Sequence, residues 1–167
     1  MIFVTVGTHE QPFNRLIEYI DKLRENKIIK EEIIMQIGFS TYEPRYCNWS
    51  KLYSYEQMKQ YVKDARIVIT HGGPSSFIMP LQVGKVPIVV PRQSKYNEHV
   101  NNHQLDFANA VEKRQGNIIV VEKITDLSEI IYEYDQIVAS KQVGYKSNNY
   151  KFNIEFRNLV EELFKGR

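Results

Sequence analysis

Two hydrophobic periods alternate along the chain. Residues 2–6, 33–38, 67–69, 86–91 and 118–121 are short, nearly continuous apolar runs rich in Ile and Val. Side chains of this kind suit strands covered on both faces of a sheet. Between the runs, apolar residues fall three and four apart. Phe13, Leu16, Ile17, Ile20 and Leu23 make one such stripe, and Met58, Tyr61 and Val62 another. Leu105, Phe107, Ala108 and Val111 follow, then Ile130, Ile131 and Ile137. That spacing predicts amphipathic helices. Strands alternating with helices predict an α/β fold: a Rossmann-like open parallel sheet with helices on both faces.

The punctuation agrees with the pattern. Pro12 is predicted to open the first helix, and Ser54 with Gln57 forms a capping-box signature for the second. Residues 39–46 read as a loop and residues 47–53 as a short strand. Pro74 suits a first helical position, where its missing N–H would be unpaired in any case. Gly84 marks the end of that helix, and Pro80 inside it is expected to kink it or remove a hydrogen bond. Asp126 is placed to cap a later helix. Residues 92–102 form a long polar connection, and residues 141–151 a second one. After it, Phe152, Phe156, Leu159, Val160, Leu163 and Phe164 share a helical face. The expected organisation is one domain over residues 1–151, followed by an amphipathic helix, residues 152–167, suited to docking on a partner.

Composition removes several classes of function. The 167 residues carry a net charge of only +2, without a basic run, so nucleic acid is not an expected partner. The 11 tyrosines and eight phenylalanines are scattered rather than set in a stacking pattern. Cys47 is the only cysteine, which excludes an internal disulfide and suits a reducing, cytoplasmic setting. No apolar run approaches a membrane span, so any membrane association is expected to be peripheral.

Candidate chemistry gathers in three polar loops that right-handed crossovers bring to one carboxyl edge of the sheet. They are residues 7–10, 70–76 and 92–104. The strand ending in Thr70, His71, Gly72 and Gly73 turns sharply into a helix whose first turn holds Ser75 and Ser76. Unpaired N–H groups and the positive end of the helix dipole make such a terminus an anion site. Two readings stand for these loops: a diphosphate on the glycine turns with Glu98, His99 or Gln104 reading hydroxyls, or plain solvated loops. His9 is likewise either a ligand contact or an exposed turn residue. Neither the dinucleotide nor the P-loop fingerprint is met, and there is no nucleophile elbow, zinc motif or Asp-x-Asp triplet. His99 and His103 stand four apart, but His99 falls in the predicted loop, so no metal site is expected.

Four ordered segments carry a family resemblance: residues 3–8, His71-Gly72-Gly73, residues 84–91, and Asn102-His103-Gln104. From residue 1 to about residue 121 the chain resembles the C-terminal domain of family 28 glycosyltransferases. It is most similar to the one-domain catalytic subunits of two-component enzymes, such as the N-glycan UDP-GlcNAc transferase and bacterial capsule or exopolysaccharide transferases. The segment from Glu98 to Gln104 leans toward the bacterial branch. The resemblance implies the donor half of a GT-B enzyme, taking a UDP-sugar and needing no cofactor. Gly7, Thr8, Gly72 and Gly73 would hold the diphosphate, with His71, Ser75 and Ser76 beside it. Gln104, with Asn102 and Glu98, would take sugar hydroxyls, and His9 is the nominated catalytic contributor. A lipid-linked saccharide acceptor and a membrane-associated partner subunit are implied, and a homo-oligomer when alone. Relatives often carry a ribose-binding glutamate where this chain has Met79. A non-catalytic nucleotide-sugar-binding module is the alternative from another class, and a flavodoxin-like FMN protein a third.

Overall fold

The structure, a computed structural model, describes residues 1–141, 153–158 and 161. Six strands form one sheet in the order β3-β2-β1-β4-β5-β6, and every neighbouring pair is parallel. They are β1 (Ile2–Thr5), β2 (Ile33–Gln36), β3 (Asn48–Ser50), β4 (Ile67–His71), β5 (Ile88–Val90) and β6 (Ile119–Val120). This is a doubly wound sheet, and its strand order reverses between β1 and β4.

Alternation along the strands explains the two layers. Ile2, Val4 and Val6 pack with Ile67, Ile69, Ile88 and Val90 against α1 (Asn14–Glu25) and α5 (Leu127–Ser140). Phe3 and Val68 face the other way, onto α2 (Tyr55–Asp64) and Met79 of α3 (Pro74–Gln82). Farther along that face Phe77, Leu81 and Val89 meet Ala108 of α4 (His103–Gln115). Both faces are covered, which is why these strands tolerate no polar alternation.

Several boundaries differ from the sequence reading. Helix α1 starts at Asn14 rather than Pro12, because Phe13 turns out of helical geometry (φ −124°, ψ 50°) and buries its ring in the core. The strand expected over residues 33–38 stops at Gln36, and Gly38 turns the chain with φ +53°. The strands expected over residues 47–53 and 118–121 shorten to Asn48–Ser50 and Ile119–Val120. Asp126 precedes α5 but caps nothing, because a short 3₁₀ turn (Ile124–Asp126) has already put it in helical geometry. The capping box is present as expected: Ser54 Oγ accepts from Gln57 N, and Gln57 Oε1 accepts from Ser54 N. Helix α3 begins at Pro74, runs through Pro80, and is followed by Gly84 at φ +76°. The connector over residues 142–151 and most of the terminal apolar face lie outside the described residues. Residues 153–158 are helical and exposed.

Candidate functional site

The reversal between β1 and β4 opens a crevice at the carboxyl edge, the place where open α/β sheets take ligands. The cleft there has a volume of about 590 Å³ and two unlike ends. Gly7, Thr8, His9, His71, Ser75, Ser76 and Gln104 make the polar end. Leu52, Tyr53, Tyr55, Met58, Val62 and Met79 make the apolar end. Among the described residues, no carboxylate lines it.

The polar end is built around His71, the last residue of β4. Gly7 lies on one side of its ring with φ +72°, and a β-carbon there would come within 2.7 Å of Nε2. Gly73 lies on another side, where a β-carbon would overlap Nε2 outright. Glycine at both turns therefore leaves room for this imidazole, and the backbone can approach a ligand closely. Burial pushes His71 down to about 4, helped by the Arg92 cation, and His9 and His99 lower it further. At neutral pH it is an uncharged ring. Helix α3 presents its N-terminus to the same end, with Gly73 as a cap that lacks a side chain, no acidic residue in the first turn, and Ser75 and Ser76 lining the cleft. Backbone donors, two hydroxyls and the helix dipole thus converge where an anion would sit.

Behind this end stands Arg92, which is fully buried. Its Nη1 donates to the carbonyls of Gln11 (2.7 Å), Pro12 (3.4 Å) and Glu98 (3.2 Å), and its Nη2 to that of Val6 (3.0 Å). One side chain thereby ties the loop after β1 to the loop after β5. Burial lowers its pKa to about 10, and the nearby Glu98 carboxylate opposes the fall.

The structure separates the expected sugar readers. Gln104 is buried, lines the cleft, and accepts weakly from Arg92 N at 3.4 Å through Oε1. Glu98 does not line it. Both its oxygens hold Arg15, at 2.7 Å to Nε and 2.9 Å to Nη2, and Oε2 also accepts from Gln93 N. Asn102 folds its own loop, with Oδ1 accepting from Ser94 N and Oγ. Gly72 sits beneath Gln104, and a β-carbon on it would be 2.8 Å from Gln104 Cβ.

Sequence reading missed the apolar end. The capping box fixes where α2 begins, and so sets Tyr53 and Tyr55 beside the end of the sheet. Tyr53 is further held by its N–H on Gln36 Oε1 (3.0 Å) and by an edge-on contact with Tyr61. Gln36 in turn donates to Thr5 Oγ1, and both line the cleft. Met79, at the place expected for a ribose-binding glutamate, also lines it. His99 and His103 do meet, with ring centroids 4.5 Å apart, yet among the described residues no group of three or more His, Cys, Asp or Glu side chains could hold a metal ion. No helix of the described residues is long and apolar enough to cross a membrane.

Comparison with known proteins gives three findings. Residues 1–163 match the Glycosyltransferase family 28 C-terminal domain. Over 121 residues, 67% of this chain, it is 33% identical to the human (Homo sapiens) UDP-N-acetylglucosamine transferase subunit ALG13; the match spans 10% of that relative's length. Among solved structures it is similar to the glycosyltransferase SnogD from Streptomyces nogalater, with a TM-score of 0.47 and 15% identity, over 72% of this chain and 31% of that one.

Proposed function

The chain belongs to the glycosyltransferase family 28 C-terminal domain family, and on that footing we propose that it is the donor-binding, catalytic subunit of an inverting UDP-sugar glycosyltransferase. The observation that carries this reading is the two-ended cleft. A nucleoside diphosphate sugar is itself two-ended, with a flat base at one end and a charged diphosphate bearing the sugar at the other. Tyr53, Tyr55, Met58 and Met79 would receive the base. The N-terminus of α3, Ser75, Ser76 and the Gly7-Thr8 turn would receive the diphosphate, and Gln104 the sugar. The name of the human relative, a UDP-N-acetylglucosamine transferase subunit, supports both the donor class and the role of a subunit.

In the proposed reaction an acceptor hydroxyl oxygen attacks the anomeric carbon. The bond from that carbon to the diphosphate oxygen breaks, and its electron pair leaves with UDP. Preorganised N–H donors stabilise the charge that develops there. The hydroxyl proton goes to a base on the acceptor side, since among the described residues no carboxylate lines this cleft. That side would come from a separate membrane-associated partner subunit, docked in part through residues 152–167, which would hold the chain at the inner face of the membrane. The acceptor is a lipid-linked saccharide in capsule or exopolysaccharide synthesis. The donor sugar is galactose in the first instance, with glucuronic acid and N-acetylglucosamine as the other candidates.

A panel of UDP-sugars titrated into the full chain tests the donor half of this reading; failure of UDP and every UDP-sugar to bind would overturn it. The partner half is tested by transfer assays on membranes with and without the co-expressed partner. Transfer that depends on both chains supports the catalytic reading. Binding without transfer in either case would favour a non-catalytic nucleotide-sugar module.

A further inference from the structure

His9, which lines the polar end of the cleft, begins a stack of three histidines drawn from two loops and a helix start. The rings of His9 and His99 lie 4.7 Å apart between centroids, and those of His99 and His103 4.5 Å apart. Each ring also has one nitrogen tied to nearby backbone or amide. His9 Nδ1 accepts the Gln11 N–H at 3.1 Å, and His99 Nδ1 accepts the Asn101 N–H at 3.4 Å. His103 Nδ1 instead faces the Asn101 amide oxygen, which only accepts, so His103 donates there.

These partners fix the tautomer of His9. A neutral imidazole carries one ring hydrogen, and a nitrogen that accepts an N–H cannot hold it. The hydrogen of His9 is therefore on Nε2. His99 and His103 stack beyond His9, and the Arg92 Nη1 grips the Gln11 carbonyl itself. His99 is already held below the usual histidine range by burial, then by His103, His9 and Arg92.

Resting on the donor-binding reading above, we propose that His9 acts in the reaction as a neutral hydrogen-bond donor, offering Nε2–H to the diphosphate of the sugar donor, and not as the general base. A base needs a free lone pair, and the Nδ1 lone pair of His9 is occupied by its own loop while Nε2 carries the hydrogen. A neutral donor suits a leaving diphosphate. It stabilises the developing charge and needs no change of protonation during transfer.

The experiment has two arms on the full chain. Long-range proton–nitrogen correlation spectra at neutral pH, assigned by loss of one ring signal in His9→Gln, read the tautomer directly. An Nε2–H ring at His9 is expected; an Nδ1–H or doubly protonated ring would overturn the inference whether or not UDP binds. The second arm titrates UDP into wild type, His9→Gln and His9→Ala. Glutamine places an amide N–H near the position of Nε2 and cannot serve as a base. His9→Gln is expected to keep UDP affinity within about threefold, whereas His9→Ala loses about tenfold or more, as for a hydrogen bond to a charged group. If His9→Gln falls as far as His9→Ala, donation is not the role. If wild type itself does not bind UDP, the donor-binding reading fails, an outcome distinct from either result on the variants.

Discussion

The ring of His71 occupies the volume that a side chain on Gly73 would need. A β-carbon on Gly73 would overlap Nε2 and come within 3.1 Å of Cδ2, and Gly7 closes off another side of the ring. Gly73 itself has an ordinary φ of −74°, so the constraint is contact, not backbone conformation.

Gly73→Ala is therefore expected to displace His71, destabilise the domain by about 1–3 kcal/mol, as overpacked sites do, and weaken UDP binding. His71→Ala combined with Gly73→Ala should be less destabilised than the sum of the single variants, because the clash disappears with the ring. Urea melts of the four proteins check this. Strict additivity would show that the two residues are not in competition. Gly73→Asp goes further, since a carboxylate at the anion site would repel a diphosphate; it is expected to abolish UDP binding.

Most of the framework could be read from local pattern. Apolar runs, helical stripes, the Ser54–Gln57 box and the Gly84 stop all act within a few residues, so the sequence shows them directly. The glycine turns were legible for the same reason. What could not be read is the wiring between loops. Arg92 and Glu98 stand in a polar stretch that looks solvated, yet both are buried, because their partners come from residues some 80 positions away. Asp21 is another case: a carboxylate within an amphipathic helix, buried under the N–H groups of Arg45 and Tyr46. No local period announces a charge that will be satisfied by tertiary contacts. The apolar end of the cleft escaped notice because Tyr53, Tyr55 and Met58 flank or sit in a helix whose other apolar residues simply pack.

Glu98 is expected to matter for stability first. Its carboxylate is buried and pairs with Arg15 through two nitrogens, and it also accepts from Gln93 N. Removing one partner of a buried pair typically costs about 3–5 kcal/mol. Glu98→Ala should therefore lower the denaturant midpoint strongly and loosen the loop after β5. A variant of unchanged stability that loses affinity only for UDP-sugars would instead restore Glu98 as a sugar reader.

The neutrality of His71 predicts a pH dependence of known sign. Its pKa falls from the ordinary 6.5 to about 4 in the folded chain, chiefly by burial and then by the Arg92 charge. Above pH 6.5 the ring is neutral in both states and contributes no slope. Between 6.5 and 4 the unfolded chain takes up a proton that the folded chain refuses, so stability declines as pH falls. The loss should reach roughly 3 kcal/mol once the pH is below 4. Stability measured from pH 7 to 4 in wild type and His71→Gln checks this: the variant should lack that share of the acid slope. An identical slope would mean that His71 is charged, or exposed, in the native protein.

Gln104 offers the sharpest division between packing and recognition. Its Cβ backs Gly72, its Oε1 takes a long hydrogen bond from Arg92 N, and the side chain is largely buried where it lines the cleft. Gln104→Ala keeps the β-carbon against Gly72, so the turn that faces the diphosphate should survive. UDP affinity is then expected to change little, while affinity for the matching UDP-sugar falls about three- to tenfold, the range for one neutral hydrogen bond. Parallel titrations of UDP and UDP-sugar into the two proteins decide the matter. Equal losses for both ligands would mean that Gln104 shapes the glycine turn and does not read the sugar.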